Sequence, residues 1–127
     1  MADIAMNKID VEVLPAYLAE QSDPDHKHYV FSYTVTIRNN GSAPAKLLAR
    51  HWIITDGDGH VQEVKGDGVI GEQPYLQPGE GFQYTSGTFI NTPFGTMHGS
   101  YQMVSDSGER FEAEIPAFRL AVPNTLH

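Results

Sequence analysis

The chain has no cysteine. That excludes disulfides, thiolate metal sites and cysteine nucleophiles together, and it fits a reducing compartment. No stretch approaches the ~20 consecutive apolar residues that cross a bilayer. The opening MADIAMNKID has no basic region followed by an apolar run, so no signal peptide is expected. The expected location is the cytoplasm, without membrane insertion. Basic residues are few: eight Lys and Arg stand against sixteen Asp and Glu, for a formal charge of −8. An acidic surface repels nucleic-acid phosphates and anionic membranes. The aromatics are not interleaved with Arg and Lys, as a single-strand stacking platform requires, so no nucleic-acid partner is expected. Amphipathic helical periods of normal length are missing too, and tryptophan occurs once, at Trp52.

What remains is a chain of strands. With 127 residues it suits one domain over 1–127, large enough to hold a core without a staple; residues 1–8 and 123–127 read as flexible tails. Ile9, Val11 and Val13 alternate with Asp10 and Glu12, a half-buried strand that either ends at Pro15 or continues past it at a sheet edge. Gln21 to Lys27 reads as a loop. From Tyr29 to Ile37 the period is two: Tyr29, Phe31, Tyr33, Val35 and Ile37 share one face, and Asn40-Gly41 then turns the chain.

Ala45 to Thr55 is ambiguous. Its first half is compatible with helix, whereas His51-Trp52-Ile53-Ile54-Thr55 favours a strand buried on both faces near the centre of a sheet. Asp56-Gly57-Asp58-Gly59 signals a hairpin. A two-residue Gly57-Asp58 loop would set Thr55 opposite His60 and His51 opposite Val64. Phe82, Tyr84, Ser86, Thr88 and Ile90 form a further alternating set, and Tyr101 and Met103 share a face. The alternation of Phe111, Ala113 and Ile115 shifts to even positions after Pro116, so a bulge or kink is expected there. About seven strands separated by turns read as an all-β antiparallel sandwich of immunoglobulin or fibronectin type III kind. Within it, Trp52 reads as a core anchor.

The segment Arg50–Gln83 concentrates the turn signals. Gly66-Asp67-Gly68-Val69-Ile70-Gly71 fits G-x-G-x-x-G, which marks a dinucleotide site when a helix follows and its free N–H groups hold a pyrophosphate. Here Pro74, Pro78 and Gly79 follow, and they leave no room for such a helix. Gly66, Gly68 and Gly71 read instead as turn glycines. Val69, Ile70, Tyr75 and Leu76 are apolar within this loop and support two alternatives, a contact surface for a partner or a lid over the end of the sandwich.

Other chemistry is weakly supported. His26 and His28 are two apart, but no third metal ligand is placed; His51, His60 and His98 are scattered. No metal site and no cofactor are expected. Asp56-x-Asp58-x-His60 opens like a calcium loop, yet Val61 and Asp67 stand where glycine and glutamate belong. No G-x-S-x-G exists, and no histidine is placed beside Ser86 or Ser100. Glu109, Glu112 and Glu114 read as the wet face of a strand. No catalytic residue is assigned, and the chain is expected not to be an enzyme.

The motifs RHWIITD (Arg50–Asp56), GDGVIGEQP (Gly66–Pro74), LQPGEGFQYTSGT (Leu76–Thr88), GSYQMV (Gly99–Val104) and FEAEIPAF (Phe111–Phe118) resemble those of the ApaG family, also called CorD. Thr88 stands where that family often has cysteine, so no thiol function carries over. The resemblance implies a fibronectin type III-like fold. Leu76-x-Pro78-x-x-x-Phe82 is similar to the tyrosine corner of such sandwiches, with Phe82 lacking the hydroxyl, so that corner is expected to be held by packing alone. The family names imply a link to cobalt resistance and magnesium efflux, and to a gene neighbourhood with a dinucleoside tetraphosphate hydrolase. Related domains in F-box proteins and a DNA polymerase delta-interacting protein look like binding modules. The expected role is therefore non-catalytic protein–protein interaction through Gly66, Gly68, Val69, Ile70, Gly71, Tyr75 and Leu76, with an unidentified protein partner. A metal- or nucleotide-binding accessory role in cation efflux or dinucleoside tetraphosphate metabolism is the alternative. Homodimerisation through an exposed sheet edge is a third reading.

Overall fold

The computed structural model describes residues 6–123. Eight strands follow in order: β1 (Ile9–Tyr17), β2 (Tyr29–Asn39), β3 (Ala45–Asp56), β4 (Val61–Asp67), β5 (Tyr75–Leu76), β6 (Gly81–Ile90), β7 (Phe94–Ser105) and β8 (Arg110–Ala121). They form two antiparallel sheets. The three-stranded sheet has the order β1-β2-β6. The five-stranded sheet has the order β4-β3-β7-β8, with β5 also paired to β3. The Asn40-Gly41 turn and the Asn91–Phe94 segment thus each carry the chain from one sheet to the other rather than closing a hairpin.

The period-two sets land as expected. Phe31, Tyr33, Val35 and Ile37 of β2 are buried together with Tyr84 and Ile90 of β6. Facing them are Trp52, Ile54, Met97, Tyr101, Met103, Ala113, Ile115 and Leu120 of the other sheet. Trp52 sits at the centre, 2% exposed, with Tyr33, Tyr101 and Phe118 packed edge-on around its ring. Such perpendicular pairs satisfy the ring quadrupoles and add to the burial of the largest apolar side chain. The Tyr84 and Tyr101 hydroxyls meet at 2.5 Å, a hydrogen bond between the two sheets.

β1 continues through Pro15 as an edge strand. The Leu18 N–H donates to the Val30 carbonyl, and this phase turns the Pro15 nitrogen away from β2, where its missing N–H leaves the ladder intact. The pairing of β7 with β8 shifts between Met97↔Phe118 and Gly99↔Ile115. The extra residue lies at Pro116-Ala117, as the change of apolar parity requires.

Several expectations are corrected. Gln21 to Lys27 is not wholly irregular: Ala19–Gln21 and Pro24–His26 form single 3₁₀ turns. β3 is strand throughout and lies inside its sheet, but only one face is fully buried. His51, Ile53 and Thr55 on the other face are partly exposed. The β3–β4 register differs by one residue, with Thr55 opposite Val61 and His51 opposite Lys65. The loop holds three residues, Gly57, Asp58 and Gly59, with Gly59 at φ 87°. Asp56 Oδ1 accepts the Asp58 and His60 backbone N–H groups at 2.9 and 3.0 Å. That side chain stabilises a turn closed by a left-handed glycine over the tighter two-residue loop. The expected tails 1–8 and 123–127 fall largely outside the described residues. Within the first of them the Met6 carbonyl accepts the Ser42 and Ala43 N–H groups, and the Lys8 carbonyl accepts that of Asn40.

The proline corner is not held by packing alone. Asn39 is fully buried, and its Nδ2 donates to the Ala43 and Leu76 carbonyls, each at 2.9 Å. Its Oδ1 accepts the Gly41 N–H. A buried amide with its hydrogen bonds made ties β5 to the end of β2. Phe82 lies half-buried nearby, its ring against Tyr84.

Candidate functional site

The glycine-rich segment leaves β4 at Asp67 and returns to the same sheet at β5. Between them it makes a tight hairpin of its own. The Val69 N–H donates to the Glu72 carbonyl at 2.8 Å, and the Glu72 N–H donates back to Val69 at 2.9 Å. The two residues between, Ile70 and Gly71, both have positive φ, 43° and 80°. Those are the signs of a type I′ turn, which matches the twist of antiparallel strands. Gly71 takes this conformation without penalty, whereas Ile70 is β-branched, and a left-handed φ there is a true outlier.

Backbone bonds fasten the segment from below. The Gly68 N–H and Gln73 Nε2 both donate to the Leu48 carbonyl, and the Leu47 N–H donates to that of Pro74. Arg50 Nη1 donates to the Asp67 and Gly68 carbonyls at 3.1 and 2.9 Å. Gly66 is not a turn glycine, contrary to expectation: it lies in β4 opposite Arg50, with the guanidinium resting where a side chain would stand. Gly68 has φ 62°, and a Cβ there would lie 2.3 Å from the Glu72 carbonyl oxygen.

The four apolar residues divide. Val69 is 0% exposed and Leu76 4% exposed, both within the core. Ile70 is 56% exposed and Tyr75 46% exposed. Val69 and Leu76 thus close over the end of the core, whereas Ile70 and Tyr75 stand open to solvent. The Tyr75 hydroxyl donates to Asp106 Oδ2 at 2.8 Å. That bond to a carboxylate raises its pKa above the ordinary phenol value, with burial and the nearby charge adding to the effect.

The geometry opposes phosphate binding. The N–H groups of Gly68, Val69 and Glu72 are already bonded to carbonyls. A two-residue turn, not a helix, spans Ile70 and Gly71. Asp67 and Glu72 line the same shallow depression as Gly68 and Gly71, and their charge repels an anion.

The histidines are dispersed. His26 Nδ1 lies 2.6 Å from Asp23 Oδ2, while the His28 ring packs on Phe89, so the two do not converge. Asp56, Asp58 and His60 do come together, with ligand atoms all within 4.8 Å of one another. The Asp56 carboxylate is already engaged. Burial would raise its pKa, but the backbone N–H groups of His60 and Asp58 and the His60 ring outweigh that and lower it. One neighbour was hidden from the sequence: Ser100 faces His51 across β3 and β7. The Ser100 Oγ accepts from Gln102 Nε2, and His51 Nε2 lies 3.0 Å from Glu63 Oε1. Only the register brings these two together, and the register was not legible in advance. Glu109, Glu112 and Glu114 are exposed, as expected of a wet face.

A family model for the ApaG domain matches residues 19–105. The chain belongs to the ApaG family. It is 59% identical over 120 residues to protein ApaG of Azoarcus sp. (strain BH72), covering 94% of both chains. It is 57% identical to protein ApaG of Dechloromonas aromatica (strain RCB) over the full length of both. A crystal structure of a protein from Bordetella pertussis superposes with a TM-score of 0.93 at 53% identity, covering 97% of this chain and 100% of that one. The ApaG match spans the glycine segment, β3 and most of the core. Among the described residues no helix is long and apolar enough to cross a membrane.

Proposed function

We propose that this ApaG chain is a non-catalytic protein-interaction module whose contact surface is the Ile70 turn with Tyr75 beside it. The observation that carries the reading is Ile70 itself. A β-branched residue is held at φ 43° and left 56% exposed at the tip of a turn closed by the two backbone bonds between Val69 and Glu72. Residues in sparsely populated backbone regions cluster at ligand clamps and switches, because folding stability alone would remove them. Here the rigid platform below presents an apolar knob, and an exposed apolar side chain on a fixed loop fits a partner's pocket. The Tyr75 ring, anchored through its hydroxyl to Asp106, adds amphipathic area of the kind enriched at interfaces.

The test is affinity capture with the wild-type chain and Ile70→Asp, after circular dichroism shows equal folding. A protein retained by the wild type and lost by the variant supports the reading; identical capture profiles end it.

A second reading, a metal-linked accessory role in cation efflux, draws on the convergence of Asp56, Asp58 and His60. Calorimetric titration with cobalt and with magnesium tests it, and stoichiometric binding lost in Asp58→Asn would place it first. The nucleotide form of that reading has less support, because the N–H groups of Gly68, Val69 and Glu72 are bonded within the fold.

A further inference from the structure

Sheet edges in this fold are not equally protected. β1 carries Pro15, whose missing N–H faces outward, and β8 is broken by the bulge at Pro116-Ala117. Prolines and bulges are devices that keep an edge from pairing with another chain. β4 has neither. It is a seven-residue edge strand, VQEVKGD, and Val61 to Lys65 are all exposed.

The hydrogen-bonding phase of this edge follows from its neighbours. The Asp56 N–H donates to the His60 carbonyl, and the Gly68 N–H donates to the Leu48 carbonyl. The even residues of β4 therefore bond β3, and Val61, Glu63, Lys65 and Asp67 turn their N–H and C=O groups outward. Asp67 is the exception in part, because its carbonyl accepts from Arg50. Among the described residues no strand pairs with this side of β4.

We infer that β4 pairs antiparallel with β4 of a second copy of this chain, centred on Val64. Three requirements meet in that one register. Val61 opposite Asp67 of the other copy gives full overlap of the seven residues. Odd residues then oppose odd residues, so the outward N–H and C=O groups face one another. Glu63 falls opposite Lys65, twice by symmetry, as an isologous two-fold contact requires. A shift of one residue pair in either direction instead sets Glu63 against Glu63, or Lys65 against Lys65 with Glu63 against Asp67. Like charges directly opposite destabilise a pair, and opposite charges stabilise it. The two Val64 side chains, each 39% exposed in the single chain, meet across the axis. Glu63 also lies 3.0 Å from His51 through Oε1, which leaves its Oε2 for lysine. Among the described residues β6 is also an edge strand, but it reads GFQYTSGTFI and carries no charge to set a register. The ladder itself uses neither Ile70 nor Tyr75.

Sedimentation equilibrium of the full chain, from low micromolar to millimolar, reads the association directly, because a short ladder gives a concentration-dependent dimer. The expected result is a reversible approach to twice the 14.0 kDa chain mass. Glu63→Lys and Lys65→Glu each place like charges in both pairs. Each should raise the dimer dissociation constant roughly tenfold or more. The double swap restores opposite charges and should return it to near the wild-type value. Both positions are exposed, and circular dichroism verifies the fold of every variant. A chain that stays monomeric at millimolar concentration overturns the inference. So does a dimer indifferent to the single swaps, which would move the contact to β6, or single-swap losses that the double swap fails to rescue.

Discussion

Trp52 and Asn39 show how one buried side chain organises its surroundings by shape in the first case and by hydrogen bonding in the second. Trp52 fills the space between the sheets, and its ring contacts reach Tyr33 on one sheet and Tyr101 and Phe118 on the other. Its indole N–H is buried without a hydrogen-bond partner among the described residues, so its contribution is one of volume and apolar area. Truncation to alanine leaves a cavity that three aromatic neighbours cannot close. Trp52→Ala is expected to lower unfolding stability by about 3–5 kcal/mol. A urea midpoint within error of the wild type would show that the core does not depend on this ring. Trp52 was legible as an anchor because it is the single tryptophan in an apolar strand. Asn39 was not. Asparagine beside Asn40-Gly41 reads as turn chemistry, and nothing local reveals that its amide reaches Leu76, far along the chain.

At the scale of elements, the strands with a single buried face were readable and the turns between them only in part. β2 alternates cleanly because it lies between β1 and β6 with one face on the core. β3 resisted because its pairing with β7 slips between Leu47 and Ala49 and its outer face is partly covered. In the glycine segment, Val69 and Ile70 are chemically alike. Only the turn type decides that the first points inward and the second outward. That turn also carries a prediction. The first central position of a type I′ turn favours asparagine, and a left-handed conformation costs an ordinary residue about 1–2 kcal/mol. Ile70→Asn should therefore stabilise the chain by about 1 kcal/mol in urea denaturation while reducing partner capture. Opposite movements of stability and binding are the expected signature of strain retained for function. A destabilised Ile70→Asn would show that the isoleucine packs usefully where it is, and would remove the argument from strain.

Across the whole molecule, the two sheets are joined by apolar packing and by the hydroxyl bond between Tyr84 and Tyr101. Which residues face inward could be read from alternation. This polar tie could not, because it depends on how the sheets are stacked. Its consequence is a dependence on alkaline pH. Burial pushes Tyr84 up to about 12, more than offsetting the lowering by its bond to Tyr101. Tyr101 is raised further, by burial first and then by the charge and hydrogen bond of Tyr84. In the unfolded chain both titrate near an ordinary value of about 10. The folded state thus keeps protons that the unfolded state releases. The associated stability is fully present below about pH 10 and is lost as pH rises through the folded values. Each such proton gives a slope of about −1.4 kcal/mol per pH unit in that window. Tyr84→Phe removes one of them and leaves the Tyr101 hydroxyl without its partner. The variant should be less stable at neutral pH, and its stability should fall less steeply from pH 10 to pH 12. Urea midpoints measured at half-unit intervals give both slopes. Parallel curves for wild type and variant would mean that the Tyr84 hydroxyl reaches solvent in the folded chain and is not a buried tie between the sheets.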